Sequence, residues 1–256
     1  MDGLTAEQKA AFDRDGFIIV RRLTPPELLA NLCDAAEDQV RKGLPPVEFE
    51  ASVGYPGSPG SVDQPGGRTI RRLRQAIDRD PVFREWATHP LVVSRLRQLL
   101  GPRVVLPLAH HNCIMCKDPK FSSDTGWHRD IRYWRYSKPD LVSVQLALHP
   151  LTPDTGSLRF IPGSHRLQLK PEQLDPLGFL DVNQRDNQPL LDRVVDTSLE
   201  PGDVVFFHCQ TFHAASRNRS SMPRRSLIFT YRSGENAPIP GTTSASLPEI
   251  DLSDVS

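Results

Sequence analysis

At 256 residues, with 38% hydrophobic and 24% charged side chains, the chain is long enough to bury a core without disulfides, and its composition excludes a disordered or fibrous protein. The 31 basic and 31 acidic residues cancel, which removes the electrostatic motive for a nucleic-acid or anionic-membrane partner. Cys33, Cys113, Cys116 and Cys209 are too few and too uneven for a secreted disulfide framework, so a reducing, cytoplasmic setting with no obligatory protein partner is expected.

The opening Met-Asp-Gly-Leu-Thr-Ala-Glu-Gln lacks the basic and apolar regions of a signal peptide, and no later stretch is apolar enough to span a bilayer. Thr5 to Gln8 and Thr24 to Glu27 both read as capping boxes, so two early helices are expected, the second with Pro25 and Pro26 in its first turn. Between them Gly16-Phe-Ile-Ile-Val20 suits a strand. Residues 44 to 67 are dense in Pro, Gly and Ser, which predicts an irregular loop, either a lid or a plain surface excursion. From Arg68 to Leu100 apolar residues such as Leu73, Ile77, Phe83, Trp86, Val92, Leu96 and Leu99 recur near helical spacing, broken at Pro81 and Pro90.

Beyond Gly101-Pro102 the texture changes to short β-branched or aromatic runs at Val104 to Cys116, Leu141 to His149, Ser157 to Ile161, Asp203 to His208 and Ser226 to Tyr231. Turn clusters such as Pro153-Asp-Thr-Gly156 and Pro201-Gly-Asp203 separate them. Helices first and many strands later, without βαβ alternation, predict a mainly β protein, an antiparallel barrel or double sheet with flanking helices. The pair Cys113 and Cys116 reads as two strand residues rather than half of a zinc site, because no second pair completes it.

In Thr125-Gly-Trp-His-Arg-Asp130, His128 and Asp130 leave the same face of an extended chain. A third ligand must come from another strand, and the run Pro201 to His213 offers His208 and His213. His208 closes an apolar run as a core imidazole would, so His213, followed by the turn-like Asn218 to Pro223, is the better candidate. Two imidazoles and one carboxylate leave three adjacent positions on a six-coordinate Fe(II): two for a 2-oxo acid such as 2-oxoglutarate, the third for O2. The far carboxylate of that acid calls for an arginine fork, and Arg224 suits the part, with Arg225 facing the opposite way into solvent.

With these residues assembled, the sequence resembles the phytanoyl-CoA dioxygenase family of Fe(II)- and 2-oxoglutarate-dependent oxygenases. The match includes Phe12-Asp-Arg-Asp-Gly-Phe17, Asp80-Pro-Val-Phe83, Leu99-Leu-Gly-Pro102, Trp127-His-Arg-Asp130, Thr155-Gly-Ser-Leu158, Ile161-Pro-Gly-Ser-His165, Pro201-Gly-Asp203 and His213 through Arg224. The resemblance implies a double-stranded β-helix, or jelly-roll, cupin-like core. It implies a single domain over 1–256, divided into a mainly helical part (1–102), the core (103–235) and a tail (236–256). It also implies His128, Asp130 and His213 as metal ligands and Arg224 as the partner of 2-oxoglutarate. Gln145 stands where relatives often have an aromatic residue in the cosubstrate pocket, and Cys113 where they often have methionine. Arg72 falls where relatives can carry a basic residue near the cosubstrate, and His165 belongs to a turn motif.

The expected activity is oxidation, foremost hydroxylation, of a small organic molecule with release of succinate and CO2. Asp130 argues against a halogenase, which would lack that carboxylate. Arg132, Tyr133 and Trp134 follow the metal box, and Arg132 shares strand parity with Asp130, so Arg132 and Trp134 are the candidate substrate contacts. The main alternative is a cupin-type isomerase or hydrolase that holds another metal and uses no 2-oxoglutarate. The final Asp-Val-Ser256 lacks the Ser-Lys-Leu of a peroxisomal address.

Overall fold

In the computed structural model, which describes residues 3–255, helix α1 (Ala6–Asp15) starts at the expected capping box. The Gln8 amide donates to Thr5 Oγ1 and the Thr5 amide to Gln8 Oε1. Met1, Asp2 and Ser256, on which the readings of the two chain ends partly rest, lie outside the described residues. Gly16 closes α1 at φ 82°, and a Cβ there would collide with Thr211 and His165. Its carbonyl accepts from the His208 amide and Thr211 Oγ1, which seats β1 (Phe17–Val20) against the later strand Val204–His208.

Helix α2 (Pro26–Lys42) departs from its expected start. Pro25 takes the cap position, and the Thr24 amide is given to the Gly202 carbonyl, so the Thr24–Glu27 capping box does not form. The Pro- and Gly-rich stretch is not irregular throughout. Val47–Phe49 forms β2, paired with β3 (Ile70–Arg74), and Ile70 and Leu73 therefore belong to a strand rather than to the expected helix. Helices α3 (Pro81–Ala87) and α4 (Pro90–Leu100) follow, each with proline in its first turn and with Asp80 and His89 as caps.

The core strands are β4 (Val104–Pro107), β5 (Asn112–Lys117), β6 (Thr125–His128), β7 (Leu141–Ala147) and β8 (Leu158–Phe160). After a short helix α5 (Gln188–Leu191) come β9 (Val195–Asp196), β10 (Val204–His208), β11 (His213–Ala215), β12 (Arg224–Ser233) and β13 (Glu249–Asp251). The larger sheet runs β1-β10-β7-β12-β5-β3-β2, with β4 paired to β12 and β13 to β4, and the smaller runs β6-β11-β8-β9. The pairings are antiparallel. The result is a jelly roll, a double-stranded β-helix, mainly β with helices on the outside, as expected. Three strands of the N-terminal part and one of the C-terminal segment join the larger sheet.

Alternation along β12 shows how one strand serves two layers. Leu227, Phe229 and Tyr231 face the core shared with the helices, whereas Ile228 joins Cys113, Ala147 and Phe207 in packing against Leu158, Phe160 and Ala215 of the smaller sheet. Arg224 and Arg225 do face opposite ways, but Arg225 is not solvated: it is buried on the outer side, ion-paired with Asp118 and Glu37 of α2. Helix α2 covers the face that a strand on a bare sheet would have given to water. Cys113 and Cys116 are free thiols on β5.

The turn before β10 is pinned by Asp203, whose carboxylate accepts from Arg21 Nη1 (2.7 Å), the Arg22 amide (2.8 Å) and the Glu200 amide (2.9 Å). Burial pushes the Asp203 pKa up, but the hydrogen bonds from these three groups outweigh it and the net shift is downward. Asp203→Ala is expected to cost about 1–3 kcal/mol by leaving amides unpaired, read from denaturant unfolding. Because the folded pKa is depressed, the stabilisation is present above the unfolded pKa of about 4 and is lost as acid protonates the folded carboxylate. Among the described residues no helix is long and apolar enough to cross a membrane.

Candidate active site

Strands β6 and β11 are neighbours in the smaller sheet, and their register places His213 opposite His128. The two imidazoles lie 4.2 Å apart, centroid to centroid. Their Nδ1 atoms contact the backbone carbonyls of Gly126 (2.8 Å) and Thr211 (3.0 Å). A carbonyl only accepts, so each Nδ1 donates there, and each Nε2 is turned to the side where a cation could be shared. Asp130 follows β6 in a 3₁₀ turn (Asp130–Tyr133), with Oδ1 3.7 Å from His128 Nε2 and 3.5 Å from His213 Nε2. The three potential ligand atoms fall within 4.8 Å of one another, close enough for one ion to bind all three.

The protonation states fit that use. Burial above all, with His213 beside it, drives the His128 pKa well below its ordinary value, so the ring stays neutral. Burial alone would raise the Asp130 carboxyl, but His111, His213 and His128 hold it well below the usual carboxylate range. Its other oxygen, Oδ2, accepts from Ser143 Oγ on β7 (3.1 Å), and Ser143 in turn accepts from Thr230 Oγ1 on β12 (3.0 Å). His111 Nδ1 stands 3.6 Å from the same oxygen. Ser143→Ala is expected to weaken Fe(II) binding about tenfold by freeing the carboxylate to turn, measured by chelator competition.

These groups open on a cavity of about 360 Å3 between the sheets. On its larger-sheet wall Cys113, Ile228 and Gln145 lie side by side across β5, β12 and β7. Gln145 Nε2 donates to Ser226 Oγ (3.1 Å), while its Oε1 is buried without a partner among the described residues. Arg224 is 2% exposed, and its Nε and Nη2 likewise have none. Burial lowers its pKa to about 10, so it remains a cation at neutral pH. The sequence-predicted residues His128, Asp130, His213, Arg224, Gln145, Cys113, Arg132 and Trp134 all line this one cavity. His208 does not: its Nε2 sits 3.4 Å from Asp140, and its ring lies beside that of His165.

One expectation fails in detail. Arg132 does not share a strand with Asp130, because the chain leaves β6 at His128 and tightens into the 3₁₀ turn. The side chain reaches the cavity by another route, its guanidinium carbon 3.9 Å from the Phe179 ring centroid and 4.6 Å from that of Tyr133. Trp134 stacks on His110 at 4.7 Å and meets His111 edge-on at 5.2 Å.

Other residues line the cavity, most of them without a local signal in the sequence. Lys117, at the end of β5, donates to the carbonyls of Ser123 (2.8 Å), Ser216 (2.6 Å) and Ala215 (3.5 Å), and burial, with Arg224 and Arg71 nearby, holds its pKa well below normal. Arg72, which the family resemblance does point to, also lines the cavity and binds Glu48 (2.7 Å). Tyr55, from the Pro- and Gly-rich stretch, meets Phe179 edge-on at 5.8 Å. His110 and His111, an adjacent pair just before β5, line the cavity as well, and their pairing is the signal the sequence offers.

Comparison with known proteins agrees with this architecture. A family model described as phytanoyl-CoA dioxygenase (PhyH) matches residues 12–226. The chain is 26% identical over 258 residues to a probable phytanoyl-CoA dioxygenase of Caenorhabditis elegans, covering 96% of this chain and 82% of that one. The fold is similar to EctD from S. alaskensis, solved with 2-oxoglutarate and 5-hydroxyectoine, at a TM-score of 0.77 and 24% identity, covering 96% of this chain and 82% of that chain. It is also similar to the epimerase SnoN, solved with Fe3+, alpha ketoglutarate and nogalamycin RO, at a TM-score of 0.75 and 21% identity, covering 94% and 89%.

Proposed function

Since the chain belongs to the phytanoyl-CoA dioxygenase family of Fe(II)- and 2-oxoglutarate-dependent dioxygenases, we propose that His128, Asp130 and His213 hold its iron and that Arg224 clasps the far carboxylate of 2-oxoglutarate. Iron and 2-oxoglutarate together supply an oxidant made from O2, with succinate and CO2 as coproducts. The protein's part is positional. Two Nε2 lone pairs and an ionised carboxylate present a facial set of donors, and the cavity wall of Gln145, Cys113 and Ile228 flanks the cosubstrate. Trp134 and Arg132 stand on the substrate side.

The observation that carries this reading is Arg224. A buried guanidinium with two unpartnered nitrogens in the same cavity as the donor set requires an anion, and a dicarboxylate bound to the metal at one end supplies it at the other. A cupin-type isomerase or hydrolase would meet that charge only if its own substrate were an anion. The proposed reaction is hydroxylation of a small organic molecule, since Asp130 keeps the carboxylate a halogenase gives up. Relatives named as ectoine dioxygenase and phytanoyl-CoA dioxygenase support a small-molecule substrate. The enzyme is further proposed to act in the cytoplasm, as one domain over 1–256 and without an obligatory partner chain.

Two measurements test the reading. Anaerobic calorimetry should find Fe(II)-dependent binding of 2-oxoglutarate, and succinate release should rise when a substrate is added from a panel of small molecules. Absence of 2-oxoglutarate binding to the iron-loaded protein would return the assignment to the cupin-type alternative.

A further inference from the structure

We infer that Arg132 binds an oxyanion of the substrate, so that the molecule oxidised carries a carboxylate or phosphate group; this deepens the dioxygenase reading above and rests on it. The other arginine and lysine side chains lining the cavity are already engaged or open to water. Arg71 is hydrogen-bonded to Ser123 and Thr125 and lies 3.4 Å from Glu50. Arg72 is paired with Glu48 at 2.7 Å. Lys117 is held by backbone carbonyls, Arg74 is exposed to water, and Arg224 is assigned to 2-oxoglutarate.

Arg132 is different. Among the described residues no carboxylate and no hydrogen-bond acceptor meets its guanidinium, and Nε and Nη1 are buried without partners. The acids lining the cavity are Glu48 and Asp130. Glu48 is engaged by Arg72, and Asp130 belongs to the metal. Arg132 is half-buried, and no protein anion in the cavity is left over for it, so an anionic ligand is the partner that would satisfy its buried nitrogens.

The side chain is also held in place for that task. The Phe179 and Tyr133 rings lie 3.9 and 4.6 Å from the guanidinium carbon. Such ring contacts engage the faces of the planar cation and leave its N–H groups, which lie in the plane, unsatisfied. Phe179 also contacts His128, at 5.7 Å between centroids, so one aromatic ring separates Arg132 from the metal site. An anion bound at Arg132 would therefore sit beside the reacting centre rather than at the protein surface.

The test is a matched panel of small carboxylates, phosphate monoesters and their neutral methyl esters or alcohols, scored by succinate release from wild-type, Arg132→Gln and Arg132→Lys protein loaded with Fe(II). Turnover is expected from the anionic arms, and which arm responds identifies the oxyanion. Arg132→Gln is expected to lower kcat/KM for those compounds by roughly 100-fold, mainly through KM, with Arg132→Lys recovering part of the loss. Three results overturn the inference: neutral members turned over as well as their anionic counterparts, an equal loss in both arms with Arg132→Gln as a purely structural clamp would give, or no stimulation by any anionic member while wild-type protein still binds 2-oxoglutarate. Failure of the wild type to bind 2-oxoglutarate would instead sink the parent assignment.

Discussion

Replacing Arg224 with glutamine is expected to weaken 2-oxoglutarate binding by roughly two to three orders of magnitude while iron stays bound. Truncating one partner of a buried, hydrogen-bonded charge pair costs about 2–5 kcal/mol, and each 1.4 kcal/mol is about tenfold. The sign reverses in the ligand-free protein. There Arg224 is a buried cation whose Nε and Nη2 have no partner among the described residues, and removing an uncompensated charge should leave stability unchanged or raise it. Anaerobic calorimetry with 2-oxoglutarate and thermal unfolding without it would together show the crossing. A variant that binds 2-oxoglutarate as the wild type does would remove Arg224 from the site.

The second large effect is expected at the metal. His128→Ala or His213→Ala should lower Fe(II) affinity by more than the roughly 10- to 100-fold that loss of an outer hydrogen-bond partner costs, and succinate release should vanish with it. Because a bound ion stabilises only the folded state, the wild-type melting temperature should rise on adding Fe(II) under anaerobic conditions, and that of either variant should not. His208→Ala is the control. Its Nε2 faces Asp140 rather than the donor set, so iron uptake should survive.

The donor set was legible because its signal is local. His128 and Asp130 are two residues apart, and the choice of His213 over His208 needed only the texture of the flanking runs. Arg224 was legible for the same reason, as a cation opening a strand. What failed depended on tertiary context. Ile70 and Leu73, three apart, satisfy helical spacing and fall on opposite faces of a strand, so only pairing with β5 and β2 makes Ile70-Arg-Arg-Leu-Arg74 a strand. Val47–Phe49 was hidden among prolines and glycines. Arg225 looked solvated because nothing in its neighbourhood announces that α2, almost two hundred residues earlier, covers it. Arg132 was assigned to the cavity by a strand parity that the 3₁₀ turn abolishes, and it arrives there through Phe179, a contact no spacing rule encodes. Ser143 on β7 and His111, just before β5, support Asp130, and their use becomes visible only once the strands are side by side.

The 3₁₀ turn from Asp130 to Tyr133 carries one more consequence. It joins a proposed iron ligand and the proposed anion-binding side chain through a single intervening residue, Ile131, in a backbone too short to stretch. The pair would act as a ruler: the carbon oxidised is set by its distance along the substrate from the charged end, so adding one methylene should shift the position of attack within a homologous series without altering its preference for one end of the molecule.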